Sequence, residues 1–370
     1  MKDFDVRKLI RPDILELPGY VPITPTDVLA ERLGIAPERV LKLDGNENPF
    51  GPSLKALEAI RRETAYHIYP DPDQTAVRAA LSSYVDAEPE RIVCGLGSDD
   101  LIDLVMRAVL APGDAVINCP PTFGMYPFST EVAGGRVIDV PRNEDFSLDV
   151  GAIAREASGA KAIFLASPNN PSGNLLSESE ITRLLALDML VVIDEAYIEF
   201  AGRQHSVVAP TREHENLVVL RTFSKWAGLA GLRAGYGVMP RALADVLMLI
   251  KQPYNLNVAA GVAMIAALED RALLDERACT IAGTRDRLAA MLAEIEWLHP
   301  YPSDANFILC RLDGVDAVEV KERLAARGIF VRHFDTAMLR NHLRISAGLE
   351  QHNAIVVDAL REIGGELGRS

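Results

Sequence analysis

Leu217-Val218-Val219-Leu220-Arg221-Thr222-Phe223-Ser224-Lys225-Trp226-Ala227-Gly228-Leu229-Ala230-Gly231-Leu232-Arg233-Ala234-Gly235-Tyr236 is the stretch around which the rest of the chain is organised. Leu217 to Leu220 has the length and β-branched content of a buried strand. A lysine close to such a run loses its proton more readily, because desolvation disfavours the ammonium form. Thr222 and Ser224 flank that lysine, and Arg233 follows eight residues later. Hydroxyls and a guanidinium are what a phosphate dianion requires, since all donate hydrogen bonds and one adds charge. A lysine nucleophile beside a phosphate cradle points to pyridoxal phosphate held as a Schiff base. A surface lysine in a Ser/Gly-rich loop would account for the Ser-Lys pair alone. The longer pattern, Ser-Lys with Ala-Gly-Leu-Arg and Gly-Tyr after it, is far more specific.

Working outward, other segments carry compatible chemistry. Arg91-Ile92-Val93-Cys94 runs into Gly95-Leu96-Gly97-Ser98-Asp99-Asp100 and an apolar-periodic helix from Leu101 to Leu110. A strand, a glycine turn and a helix N-terminus together form a phosphate site from free N–H groups and the helix dipole. Ser98 and its backbone are assigned to the cofactor phosphate, with Asp99 beside them; capping of the helix by either residue is the plainer alternative. Leu190-Val191-Val192-Ile193-Asp194 places a carboxylate at the end of an apolar strand, which is costly without a cationic partner. A protonated pyridine nitrogen would supply one. A Walker-B-like metal carboxylate is discounted, because no Gly-x-x-x-x-Gly-Lys-Ser/Thr accompanies it. Arg344 lies in the apolar-flanked Leu343-Arg344-Ile345-Ser346, where a buried guanidinium needs an anion: a substrate carboxylate, or an Asp or Glu side chain.

The Lys225 segment resembles the cofactor-lysine segment of fold-type I aminotransferases, most closely the histidinol-phosphate aminotransferase family. Further matches occur in the family's order along nearly the whole chain: Asn46-Glu47-Asn48-Pro49, Tyr69-Pro70, Asn170-Pro171-Ser172-Gly173, Asp194-Glu195-Ala196-Tyr197, Pro253-Tyr254-Asn255-Leu256-Asn257 and Leu343-Arg344-Ile345-Ser346. The resemblance implies pyridoxal 5'-phosphate, with Lys225, Asp194 and Tyr197 catalytic. It implies that Phe123 stacks on the pyridine ring where many relatives carry tyrosine. Asn170 and Tyr197 then face the phenolate oxygen, and Ser98, Asp99, Thr222, Ser224 and Arg233 surround the phosphate. Tyr69 would reach the cofactor phosphate of a neighbouring subunit, which implies a homodimer. Tyr20, Asn46, Arg332 and Arg344 are the implied substrate contacts; Arg332 is read here as the phosphate site and Arg344 as the carboxylate site, with the reverse split, or one pocket for both anions, left open. No metal is implied.

The implied fold is α/β, a fold-type I transferase with a large domain and a smaller α+β domain. Strands alternating with helices from about Leu41 to Pro253 agree with a mostly parallel sheet flanked by helices. Residues 1–40 read as an N-terminal arm belonging to the small domain, 41–255 as the large cofactor-binding domain and 256–370 as the small C-terminal domain. Leu41 to Pro52 reads as a structured loop, and a long helix from Arg271 to Ile295 as a crossing between domains. The implied reaction is transamination of L-histidinol phosphate with 2-oxoglutarate, in histidine biosynthesis. An aromatic aminotransferase or a threonine-phosphate decarboxylase would share the framework. A non-catalytic sensor derived from such enzymes is disfavoured by the retained Lys225, Asp194 and Arg233.

Composition agrees with this reading. A chain of 370 residues suits a large domain plus a smaller one, and 49% apolar content supports sizeable cores. A net charge of -14 argues against nucleic acid as the main partner. Cys94, Cys119, Cys279 and Cys310 show no metal or disulfide spacing and read as reduced thiols. The acidic start, Met1-Lys2-Asp3-Phe4-Asp5, does not read as a secretory signal, and no apolar run approaches a membrane span. A cytoplasmic location is expected.

Overall fold

The computed structural model describes residues 4–19 and 22–369. Its strands, in chain order, are β1 (Leu41–Leu43), β2 (Ile92–Gly95), β3 (Ala115–Asn118), β4 (Arg136–Asp139), β5 (Ala162–Ala166), β6 (Leu190–Asp194), β7 (Leu217–Thr222), β8 (Gly235–Val238), β9 (Leu298–Pro300), β10 (Phe307–Leu312), β11 (Ile329–His333) and β12 (His342–Ser346). They form a seven-stranded sheet of order β2-β8-β7-β6-β5-β3-β4 and a five-stranded sheet of order β1-β11-β12-β10-β9.

In the larger sheet only β8 runs against its neighbours, so β2, β3, β5, β6 and β7 all point their carboxyl ends to one edge. Side chains alternate between faces, and both faces are covered. Ile163, Leu165, Val191, Ile193 and Val219 enter one core, while Ala162, Phe164, Val192, Val218 and Leu220 enter another. Burial on both sides explains why these strands read as continuous apolar runs rather than alternating ones. The sequence order also reverses direction at β3: β4 lies on one side of it and β5 on the other. In open α/β sheets such a switch point opens a crevice beyond the carboxyl ends.

One expectation changes. Leu41-Lys42-Leu43, read as part of a loop opening the large domain, is strand β1 and pairs in parallel with β11 at the edge of the smaller sheet. Leu43 is buried in the core of that sheet with Val331 and Ile345. The helix Arg271–Ala293 joins the two cores: Leu274, Ala278 and Ile281 pack under the large sheet, and Leu288 and Leu292 under the small one. At 1.5 Å per residue it spans roughly 34 Å. No helix among the described residues is long and apolar enough to cross a membrane.

Candidate active site

The loops leaving the carboxyl edge of the large sheet converge with residues from β12 and from the loop after β1. Lys225 sits three residues beyond β7, and its Nζ donates to the Gly45 carbonyl at 3.0 Å. The lysine is half-buried, and burial, followed by the positive charge of Arg344, pushes its pKa down to about 8. A minor but appreciable fraction of the amine, roughly a tenth to a fifth, is therefore neutral near physiological pH. Asn48 pins the lysine's backbone, since its Nδ2 donates to the carbonyls of Lys225 at 3.0 Å and Trp226 at 2.8 Å.

Asp194 ends β6 on the face shared with Val192, which turns its carboxyl toward Tyr126. Tyr126 Oη donates to Asp194 Oδ2 at 3.1 Å, and the Ala196 N–H donates to Oδ1 at 3.1 Å. The carboxyl is 4% exposed and has no ion pair among the described residues. Burial pushes its pKa up to about 7, against the lowering effect of the Tyr126 bond. Tyr126 was not singled out from the sequence. Its signal was position alone, three residues past Phe123, whose ring it meets edge-on at 5.6 Å.

At the end of β2 the chain turns through Gly97 (φ 85°) into the helix Ser98–Val109, which has no side-chain cap. The helix's first N–H groups thus lack partners within it. Arg233 Nη2 lies against this turn and donates to Asp99 Oδ2 at 2.7 Å. A Cβ on Gly235 would lie 2.5 Å from the Gly97 carbonyl carbon and 2.7 Å from the Ser98 nitrogen, so only glycine permits β8 this close to the turn. Thr222 is the register partner of Gly235, and its Oγ1 donates to Ser224 Oγ at 2.9 Å. Uncapped amides, hydroxyls and a guanidinium therefore share one rim.

Asn170, in the loop after β5, accepts at Oδ1 from Arg344 Nη1 at 2.5 Å, which turns its NH2 end to other ligands. Arg344 Nη2 donates to the Asp44 carbonyl at 2.6 Å. Tyr197 accepts from Asn46 Nδ2 at 3.0 Å. Asn46 is itself anchored: its N–H donates to Ser346 Oγ at 3.0 Å, and its Oδ1 accepts from that hydroxyl at 2.9 Å. The side chain expected to face substrate is thus committed to protein partners and orients Tyr197. Arg332 is partly buried on β11, in register with Arg344. Tyr69 lies on the surface, 77% exposed, and stacks on Tyr254 at 4.4 Å. Tyr20 lies outside the described residues.

The donor set fits pyridoxal phosphate. The deciding observation is the buried Asp194 carboxyl without a cation, backed by the uncapped helix turn that Gly97 and Gly235 keep open. No cluster of residues suited to hold a metal ion occurs among the described residues.

The family model for aminotransferase class I and II matches residues 38–360. A histidinol-phosphate aminotransferase of Roseiflexus castenholzii is 52% identical over 368 residues, covering 96% of this chain and 98% of that protein. The chloroplastic histidinol-phosphate aminotransferase of Nicotiana plumbaginifolia is 48% identical over 355 residues, 95% of this chain and 86% of that protein. Among solved structures, the histidinol-phosphate aminotransferase of Sinorhizobium meliloti, in complex with pyridoxal-5'-phosphate, superposes with a TM-score of 0.88 at 29% identity, covering 97% of this chain and 98% of that one. The chain is a class I and II aminotransferase and belongs to the histidinol-phosphate aminotransferase family.

Proposed function

We propose that the chain transfers the amino group of L-histidinol phosphate to 2-oxoglutarate, giving imidazole acetol phosphate and L-glutamate, as a step of histidine biosynthesis. The observation that carries the reading is Asp194, a buried carboxyl held by Tyr126 and without an ion pair among the described residues. Pyridoxal phosphate, when bound, supplies a carbonyl for the amine and a cationic ring that withdraws electrons. Asp194 would pair with the protonated ring nitrogen, and in that ion pair its carboxyl would be ionised. Ser98, Thr222, Ser224 and Arg233, with the amides at the helix turn, hold the phosphate. Asp99 orients Arg233 through their 2.7 Å contact. Phe123 covers the ring face.

Lys225 Nζ, lowered to about 8, serves as attachment point and then as base. It accepts the proton from the carbon bearing the substrate amine and delivers it back on the product side. The Asn170 NH2 and the Tyr197 hydroxyl would donate to the phenolic oxygen of the bound group, with Tyr197 oriented by the bond it accepts from Asn46. Arg344 receives the carboxylate of 2-oxoglutarate, and Arg332 the phosphate of the amine substrate.

Residues 41–255 are the cofactor-binding unit in this reading, apart from β1, with the arm and residues 256–370 forming the smaller one. The working form is a homodimer in which Tyr69 reaches the partner's cofactor phosphate. Tyr66, Ile68, Tyr69 and Tyr254 are all more than 40% exposed and line a groove of about 490 Å³, an apolar surface that a second copy would cover. A cytoplasmic location agrees with buried Cys94, Cys119 and Cys310, free of disulfides, whose thiols burial pushes up to about 12.

The test is a single-turnover absorbance trace of the cofactor-loaded enzyme with L-histidinol phosphate, L-phenylalanine and threonine phosphate. Rapid loss of the cofactor band with histidinol phosphate alone, with the matching ketone formed, is the expected result. Preference for phenylalanine would move the assignment to an aromatic aminotransferase, and carbon dioxide from threonine phosphate to a decarboxylase.

A further inference from the structure

Arg332 on β11 and Arg344 on β12 are directly opposed in the antiparallel ladder. Their neighbours Val331, Leu343 and Ile345 point into the core behind the sheet, so alternation sends both arginines out of the opposite face. Like charges opposed across a ladder repel, and one aromatic ring lies against both guanidinium groups. The Arg332 guanidinium lies over Phe334 at 5.7 Å from its centroid, and the Arg344 guanidinium lies over the same ring at 5.6 Å. Arg344 also lies over Phe307 at 5.1 Å, and Phe307 meets Tyr197 edge-on at 5.1 Å. Guanidinium and ring therefore alternate from Arg332 through Phe334 and Arg344 to Phe307, whose ring then meets that of Tyr197.

Phe334 is itself seated on an aromatic base. It packs against the cluster of Phe146, Leu309 and Leu339, with Tyr301 on the same cluster. Phe146 and Tyr301 meet edge-on at 5.0 Å. The Phe146 backbone is fixed in turn, because its carbonyl accepts from Arg142 Nη1 at 3.0 Å and from Asn174 Nδ2 at 3.3 Å. This cluster ties the loop after β4 to the smaller sheet and leaves the Phe334 ring little freedom to swing.

We propose that Phe334 is a positioning residue for both substrates: its ring holds Arg332 and Arg344 at a set spacing and aims each at an anion. The inference rests on the reading of these arginines as anion sites. The negative face of the ring attracts each guanidinium and offsets part of their mutual repulsion without occupying N–H donors, two of which on Arg344 already meet Asn170 Oδ1 and the Asp44 carbonyl. An aliphatic side chain would fill the volume without doing either. A single ring could thereby tune affinity for a phosphate-bearing amine and for a dicarboxylate together, which an enzyme alternating between two such substrates requires.

The test uses cofactor-loaded enzyme and two unreactive probes, inorganic phosphate and glutarate, with Kd measured by calorimetry and KM and kcat measured in parallel. Phe334→Leu should weaken both probes about fivefold, the loss of one such contact for each guanidinium. KM for both substrates should rise in step while kcat at saturation stays within about twofold. Phe334→Tyr, which keeps the ring, should bind both probes as the native enzyme does. Phe334→Met is the second aliphatic variant, used if the leucine variant does not fold. Native-like binding by the aliphatic variants, loss confined to one probe, or a fall in kcat without a change in affinity would overturn the proposal. Arg332→Gln and Arg344→Gln separate the two levels. If they lose the probes while Phe334→Leu keeps them, only the role of Phe334 fails. If they keep both probes, the reading of the arginines as anion sites fails and the proposal falls with it.

Discussion

At the scale of single residues, the site runs on two pKa shifts of opposite sign. Burial holds the Asp194 carboxyl at about 7, far above its unfolded value. Between about pH 4 and 7 the folded, cofactor-free chain keeps a proton that the unfolded chain has released, so this group's contribution to stability falls as pH rises, by at most about 1.4 kcal/mol per unit. Glu199, also pushed up to about 7 by burial, acts in the same window. The readout is therefore the difference between native protein and Asp194→Asn in urea unfolding at pH 5 and pH 8; the variant should show the smaller pH dependence and bind the cofactor more weakly. Lys225 moves the other way. The rate at which cofactor-free protein captures pyridoxal phosphate should rise with pH through about 8 as the amine loses its proton. Removing the nearby positive charge in Arg344→Gln favours the ammonium form, so that stopped-flow profile should shift to higher pH.

At the scale of elements, the phosphate rim depends on how closely β8 approaches the turn after β2. An alanine at Gly235 would place its Cβ 2.5 Å from the Gly97 carbonyl carbon, and backbone, not a flexible side chain, would have to give way. Gly235→Ala should cost about 1–3 kcal/mol in denaturant unfolding. It should also weaken cofactor binding more than this loss of stability explains, because the displaced amides are the ones proposed to face the phosphate. Elements differ in how far they can be read from sequence. The strands β5, β6 and β7 and the helix Arg241–Ile250 were legible, since burial on both faces or an amphipathic stripe leaves a regular pattern. Strand β1 was not. Three residues with a lysine in the middle carry no period, and only β11 beside them supplies the hydrogen bonds that make them a strand.

At the scale of the whole molecule, the proposed dimer makes a prediction about where Tyr69 works. Tyr69→Ala and Lys225→Ala proteins should each be nearly inactive alone. Mixed and allowed to exchange subunits, they should recover about a quarter of native activity if Tyr69 serves the partner's site, because half of the dimers then carry one complete site. Recovery of nothing, in mixtures shown by mass to contain hybrids, would place Tyr69 and Lys225 in the same subunit's site. Sedimentation of the native protein should give a species of twice the 40.3 kDa chain.

The sequence by itself determined the chemistry of this protein and its order along the chain. Lys225, Asp194, Arg233 and Arg344 were candidates without coordinates, because each stands in a motif whose spacing and apolar flanks are local properties, and Asn170 was a candidate through the resemblance of its Asn-Pro-x-Gly loop. Relations between distant segments were decided only by the tertiary structure. The Tyr126 bond to Asp194 joins residues 68 apart, the Asn46 bond to Tyr197 joins residues 151 apart, and the bond from Arg344 to Asn170 joins residues 174 apart. The shared contact of Arg332 and Arg344 with Phe334 likewise needs the register of β11 on β12. Such contacts leave no local pattern: each partner alone is an ordinary tyrosine, asparagine or phenylalanine, and its role exists only once packing of the two cores brings it within bonding distance.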